Sequence, residues 1–78
     1  MPIVFYFKGF KILFYSSEER RTHVHAKGHA ATVKIWLEPD VEIADKRGKI
    51  NDSELAELLK EVRSRKNECV ARWREYHG

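Results

Sequence analysis

Apolar side chains alternate with polar ones through the first half of the chain, then recur every three or four positions after residue 52. The runs "IVFYF" and "FKILFYS" are aromatic and β-branched, as strands prefer, and Lys8-Gly9 between them suits a two-residue type I′ turn. That hairpin pairs Phe7 with Phe10, Phe5 with Ile12 and Ile3 with Phe14, which puts six apolar residues on one face. Val4, Tyr6, Lys11, Leu13 and Tyr15 go to the other. "SSEERR" (16–21) reads as a polar connection. Lys27-Gly28 then predicts a second hairpin, with Ala26 opposite His29, Val24 opposite Ala31 and Thr22 opposite Val33. In that register Val24, Ala26, Ala31, Val33, Ile35 and Leu37 share the inner face, and His23, His25, Ala30, Thr32, Lys34 and Trp36 the outer one. "VEIA" after Pro39-Asp40 is a short fifth strand with Val41 and Ile43 inward, and "DKRGK" is a polar loop.

From Asp52 onward the period is helical. Asp52 or Ser53 serves as N-cap, and apolar positions 55, 58, 59, 62, 69, 70, 73 and 76 make one stripe, interrupted by Lys66. Trp73 and Tyr76 are its core anchors. With no Pro or Gly before Gly78, the first expectation is one helix of about 39 Å at 1.5 Å per residue; a break at 64–67 is the alternative. The predicted fold is α+β: an antiparallel sheet of four to five strands packed on one face by this C-terminal helix. Its 78 residues form a single domain, with a sheet part at 1–50 and a helical part at 51–78.

Composition narrows the function. With one cysteine, Cys69, no internal disulfide forms and a Cys-rich zinc site is excluded. No apolar run reaches the roughly 20 residues of a membrane helix, and the N-terminus lacks the pattern of a secretory signal, so a cytoplasmic protein without membrane attachment is expected. The net charge of +3 lies wholly in residues 1–50, which hold nine Lys/Arg against six Asp/Glu, and that leaning permits an anionic partner such as RNA.

The sheet face turned away from the helix carries the candidate chemistry. His23 and His25 point the same way, with Cα atoms roughly 6.6 Å apart, and imidazoles near neutrality can divide into an acid and a base around a phosphodiester. Lys11, Arg21 and Lys34 would attract phosphate, while Tyr15 and Trp36 offer stacking surfaces for bases. The expected chemistry is that of a ribonuclease needing neither metal nor cofactor, with a metal-dependent enzyme as a third alternative. Two histidines are too few for a zinc centre, and Glu42 is the best further ligand if its side chain points outward. The competing interpretation is non-enzymatic: the same face docks a partner protein or a second copy of the chain. Everything depends on the alternation that sends both imidazoles to solvent and Val24 beneath the helix.

The segments "MPIVFYFKGFKILFYSSE", "HVHA", "VKIWLEP" and "ARWREYHG", with the glycine after the fifth strand, resemble domain-of-unknown-function family 4160 over nearly the whole chain. Where members of that family typically carry two prolines before the first histidine, this chain has Arg21 and Thr22, so the approach to His23 is less stiff. The resemblance implies the toxin half of a bacterial type II toxin–antitoxin pair. It also implies a cognate antitoxin of domain-of-unknown-function family 2442 and RNA as the target. A cognate antitoxin would supply the cover that the outer sheet face needs.

Overall fold

The computed structural model describes residues 3–15 and 20–77; residues 16–19, the greater part of the expected polar connection, lie outside it, as does Gly78. Five strands run in chain order across one antiparallel sheet: β1 (Ile3–Phe7), β2 (Phe10–Leu13), β3 (His23–Lys27), β4 (Ala31–Trp36) and β5 (Glu42–Gly48). Two helices follow, α1 (Asp52–Ser64) and α2 (Lys66–His77). The α+β class and the five-stranded antiparallel sheet agree with the sequence pattern. The single long helix does not form; the alternative, a break near 64–67, does.

The first hairpin closes as its turn chemistry requires. Lys8 and Gly9 both have positive φ (45° and 83°), and Phe7 faces Phe10, Tyr6 faces Lys11 and Phe5 faces Ile12. Beyond Phe5 the register shifts and Ile3 meets Leu13 rather than Phe14. The extra residue on β1 turns Val4 into the core instead of leaving it on the outer face.

In the second hairpin Val24 faces Ile35 and Ala26 faces Val33, a slide of four residues along β4 from the expected partners. Gly28 does not take the positive φ of a tight turn. It is small because a Cβ there would come within 2.7 Å of the Phe10 ring. The chain reverses instead through residues 28–31, where the Gly28 N–H donates to the Ala31 carbonyl at 2.9 Å. A slide by an even number of residues leaves every side chain on its expected face, so the inner set survives the wrong register.

One apolar cluster joins Phe5, Ile12, Val24, Ala26, Val33 and Ile35 of the sheet to Leu58 and Val62 of α1 and to Cys69, Val70 and Trp73 of α2. Helix α1 is capped by Asn51, not by Asp52 or Ser53. The Asn51 side chain accepts the Glu54 N–H at 2.8 Å, and the Glu54 carboxylate returns to the Asn51 N–H. Arg65 leaves helical geometry (φ −111°, ψ 18°) and separates the helices. Its guanidinium is held by Glu61 and Glu68 and lies 4.3 Å from the centre of the Phe5 ring. The bend brings Trp73 onto Phe14, ring centroids 5.6 Å apart and edge to face. Tyr76 is 43% exposed, so of the two expected anchors only Trp73 is buried.

Other helix cations tie down the connection between β4 and β5. Lys66 donates to the Pro39 carbonyl, Arg63 to the Val41 carbonyl, and Arg74 pairs with Glu38. Val41 is buried as expected, but Ile43 is 38% exposed, because β5 is an edge strand and α1 leaves that position uncovered. No helix of the described residues is long and apolar enough to cross a membrane.

Candidate nucleic-acid interface

Strand pairing fixes the composition of the outer face. Residues directly opposite one another in register project to the same side, so the face can be read in rungs across the strands. Tyr6, Lys11, Lys27, Thr32 and Arg47 form one rung. Leu13, His25, Lys34 and Asp45 form the next, and His23, Trp36 and Glu42 the third.

The two histidines share this face but not an environment. Val24 between them is fully buried beneath the helices, as alternation demands. His23 is also buried, at 1% exposure, because α2 reaches round the end of the sheet. Its ring lies 4.8 Å from that of Trp73, 5.6 Å from Trp36 and 5.0 Å from His25. The Arg21 carbonyl, which can only accept, lies 2.7 Å from His23 Nδ1. The proton therefore sits on Nδ1, and Nε2 is the basic position of the neutral ring. The expectation that both imidazoles face solvent therefore fails at His23. His25 is half-buried, with Tyr15 edge-on to it at 4.4 Å.

Trp36 is the aromatic centre of the exposed part. The Arg21 guanidinium lies 4.4 Å and the Lys34 ammonium 4.6 Å from its ring centroid, within cation–π range. Arg21 is held there by donating from Nε to the Glu38 carbonyl at 2.9 Å and by Glu42 at 4.0 Å. A cleft of about 400 Å³ opens beside these groups, lined by His25, Thr32, Lys34, Trp36, Ala44, Asp45 and Arg47.

The structure thus brings together His23, His25, Tyr15, Arg21, Lys34 and Trp36. Lys11 stands apart, one rung further along the strands and opposite Lys27. Thr32 was expected on this face; Asp45 and Arg47 were not, because "DKRGK" looks like a loop. Its first four residues, 45–48, are instead the second half of β5, whose register shifts between Ile43 and Asp45. The extra residue there breaks the period-two signal, and a charged edge strand has no apolar alternation to betray it. His77 was missed as well: it stacks on Trp73 at 3.7 Å and extends the ring cluster from the helix side. Among the described residues no three His, Cys, Asp or Glu side chains are grouped as metal ligands would be.

A small α+β protein is so defined: a five-stranded meander, helices on one face, and cations and aromatic rings on the other. The chain belongs to the family described as Domain of unknown function (DUF4160), whose model matches residues 9–74. No curated protein and no solved structure matches it.

Proposed function

We propose that the chain is the toxin of a bacterial toxin–antitoxin pair and acts on RNA through the outer sheet face. The observation that carries this is the grouping of His25, Lys34 and Trp36 around one open cleft, with Arg21 lying on the Trp36 ring. It combines an imidazole, two cations and a stacking ring, a set suited to single-stranded RNA. In this reading His25 is the group that touches substrate. It takes the proton of a ribose 2′-hydroxyl as that oxygen attacks the neighbouring phosphorus. The bond from phosphorus to the 5′-oxygen breaks, the departing oxygen is protonated by water, and a cyclic phosphate is left. Lys34, directly across from His25, stabilises the charge that builds on the phosphate oxygens. His23, packed against His25, is a positioning residue.

The cytoplasm is where such an RNA target would be met. The partner in this reading is the one the family resemblance implies: a cognate antitoxin of domain-of-unknown-function family 2442, covering the same face. Tyr6, 66% exposed, gives that cover an aromatic anchor point, and the same surface would serve a homodimer if the protein only docks partners.

Expression tests the proposal. Cells making the chain alone should stop growing and should recover when the neighbouring gene is co-expressed. His25→Gln should abolish the arrest while the purified variant keeps its fold and still binds the antitoxin. Continued arrest by a folded His25→Gln protein would remove the catalytic role, and the absence of arrest by the unaltered chain would remove the toxin assignment.

A further inference from the structure

Lys11 and Lys27 face each other directly on neighbouring strands β2 and β3, and both are exposed. Like charges in that relation repel and weaken a sheet. Among the described residues neither lysine has an ion pair, while Arg63, Arg65, Lys66, Arg72 and Arg74 of the helices each hold a carboxylate or a backbone carbonyl. These five cations are therefore taken up in holding the fold together, whereas this facing pair is not. The same rung continues through Thr32 to Arg47 on β5, and at its other end lies Tyr6. Two depressions flank it. One, of about 180 Å³, is lined by Gly9, Lys11, Lys27, Gly28 and His29; the other is the cleft to which Thr32 and Arg47 contribute.

We infer that Lys11, Lys27 and Arg47 form a phosphate track running across the strands, along which single-stranded RNA is laid with its backbone between the two depressions. The inference rests on the RNA reading above and adds to it a binding site distinct from the ring cluster. Three cations in one rung, on strands about 4.8 Å apart, present a line of positive charge about 14 Å long, which matches an extended polyanion and no compact ligand. Arg47 pairs with Asp45 at 3.1 Å, an exposed contact that an incoming phosphate can replace. Duplex RNA hides its base faces from stacking, whereas the open rings of Tyr6 and Trp36 on this face suit exposed bases, so the occupant is single-stranded. The open ring of Tyr6 at the end of the track offers a stacking surface to a base.

Fluorescence anisotropy with a labelled 2′-O-methyl oligouridine of about 12 nucleotides, which the proposed cleavage chemistry cannot break, tests this across a series of salt concentrations. The variant Lys11→Ala/Lys27→Ala/Arg47→Ala should bind more weakly. Its plot of log affinity against log salt should be shallower by about 2, as expected for three lost phosphate contacts on a single strand. Lys46→Ala/Lys49→Ala/Lys60→Ala, with the same loss of charge off the rung, should keep the original slope. Equal losses in both variants would mean that net charge alone binds the RNA, and the track would be refuted. Unchanged binding by the rung variant would refute the track and leave RNA binding elsewhere on the face. Failure of the unaltered protein to bind the oligonucleotide would overturn the RNA reading itself. Loss of antitoxin binding by the rung variant, with RNA binding intact, would reassign the rung to protein docking.

Discussion

His23 and His25 show how far two identical side chains on one strand face can diverge. His23 is enclosed by Trp36, Trp73 and the Arg21 carbonyl, so His23→Ala would leave a cavity among packed rings and an unpaired carbonyl. A destabilisation of about 2–4 kcal/mol in urea unfolding is expected. His25→Ala, at a half-buried position, should cost less than about 1.5 kcal/mol and act on function instead. Cys69 is a second test at this scale. Burial, with a smaller contribution from the Glu68 charge, pushes its thiol up to about 11. Because the thiolate is the reactive form, iodoacetamide at pH 8 should leave the native protein unmodified and label the urea-unfolded chain. The raised value also sets a pH dependence. The unfolded thiol loses its proton first, so stability should fall as pH rises from about 9 towards 11.

At the scale of elements, β5 is the part that depends most on a single backbone position. Gly48 has φ +88°, and a Cβ there would lie 2.2 Å from the Ala30 carbonyl oxygen. Left-handed backbone alone costs other residues roughly 1–2 kcal/mol. Gly48→Ala should therefore lose at least about 2 kcal/mol in thermal or urea unfolding and loosen the edge that carries Asp45 and Arg47. The opposite sign is expected at Lys27. Lys27→Glu replaces a repulsive pair with Lys11 by an attractive one and should raise stability by about 0.2–1 kcal/mol while weakening the proposed RNA binding.

These elements also show what a sequence pattern can and cannot carry. Turn chemistry located the first hairpin correctly because Gly9 takes the positive φ that the turn needs. The same dipeptide at Lys27-Gly28 misled, since Gly28 is small for the sake of Phe10. Faces were readable even where the register was not, because parity survives an even slide. The second half of β5 was unreadable, and so were the contributions of Arg47 and Asp45 to the cleft. The helix break was visible only as Lys66 interrupting the stripe. Nothing local to "SRKN" reveals that Arg65 would be drawn to Phe5, a contact made through tertiary structure.

Across the whole molecule, the two sheet faces divide the labour. Helices α1 and α2 both pack into the core on the inner face, and α2 also brings Trp73, with His77 stacked on it, against the His23 ring. What stays open is the stretch from His25 and Trp36 to the Lys11–Lys27–Arg47 rung, where aromatic and cationic groups are concentrated. The proposed RNA contact lies on that surface. Its most direct test is an NMR titration of the isotope-labelled chain with single-stranded RNA. Perturbations should concentrate on the amides of β3, β4 and β5 around His25, Lys34 and Arg47 and on the Trp36 indole N–H. Shifts confined to the exposed sides of α1 and α2, or none at saturating RNA, would contradict it.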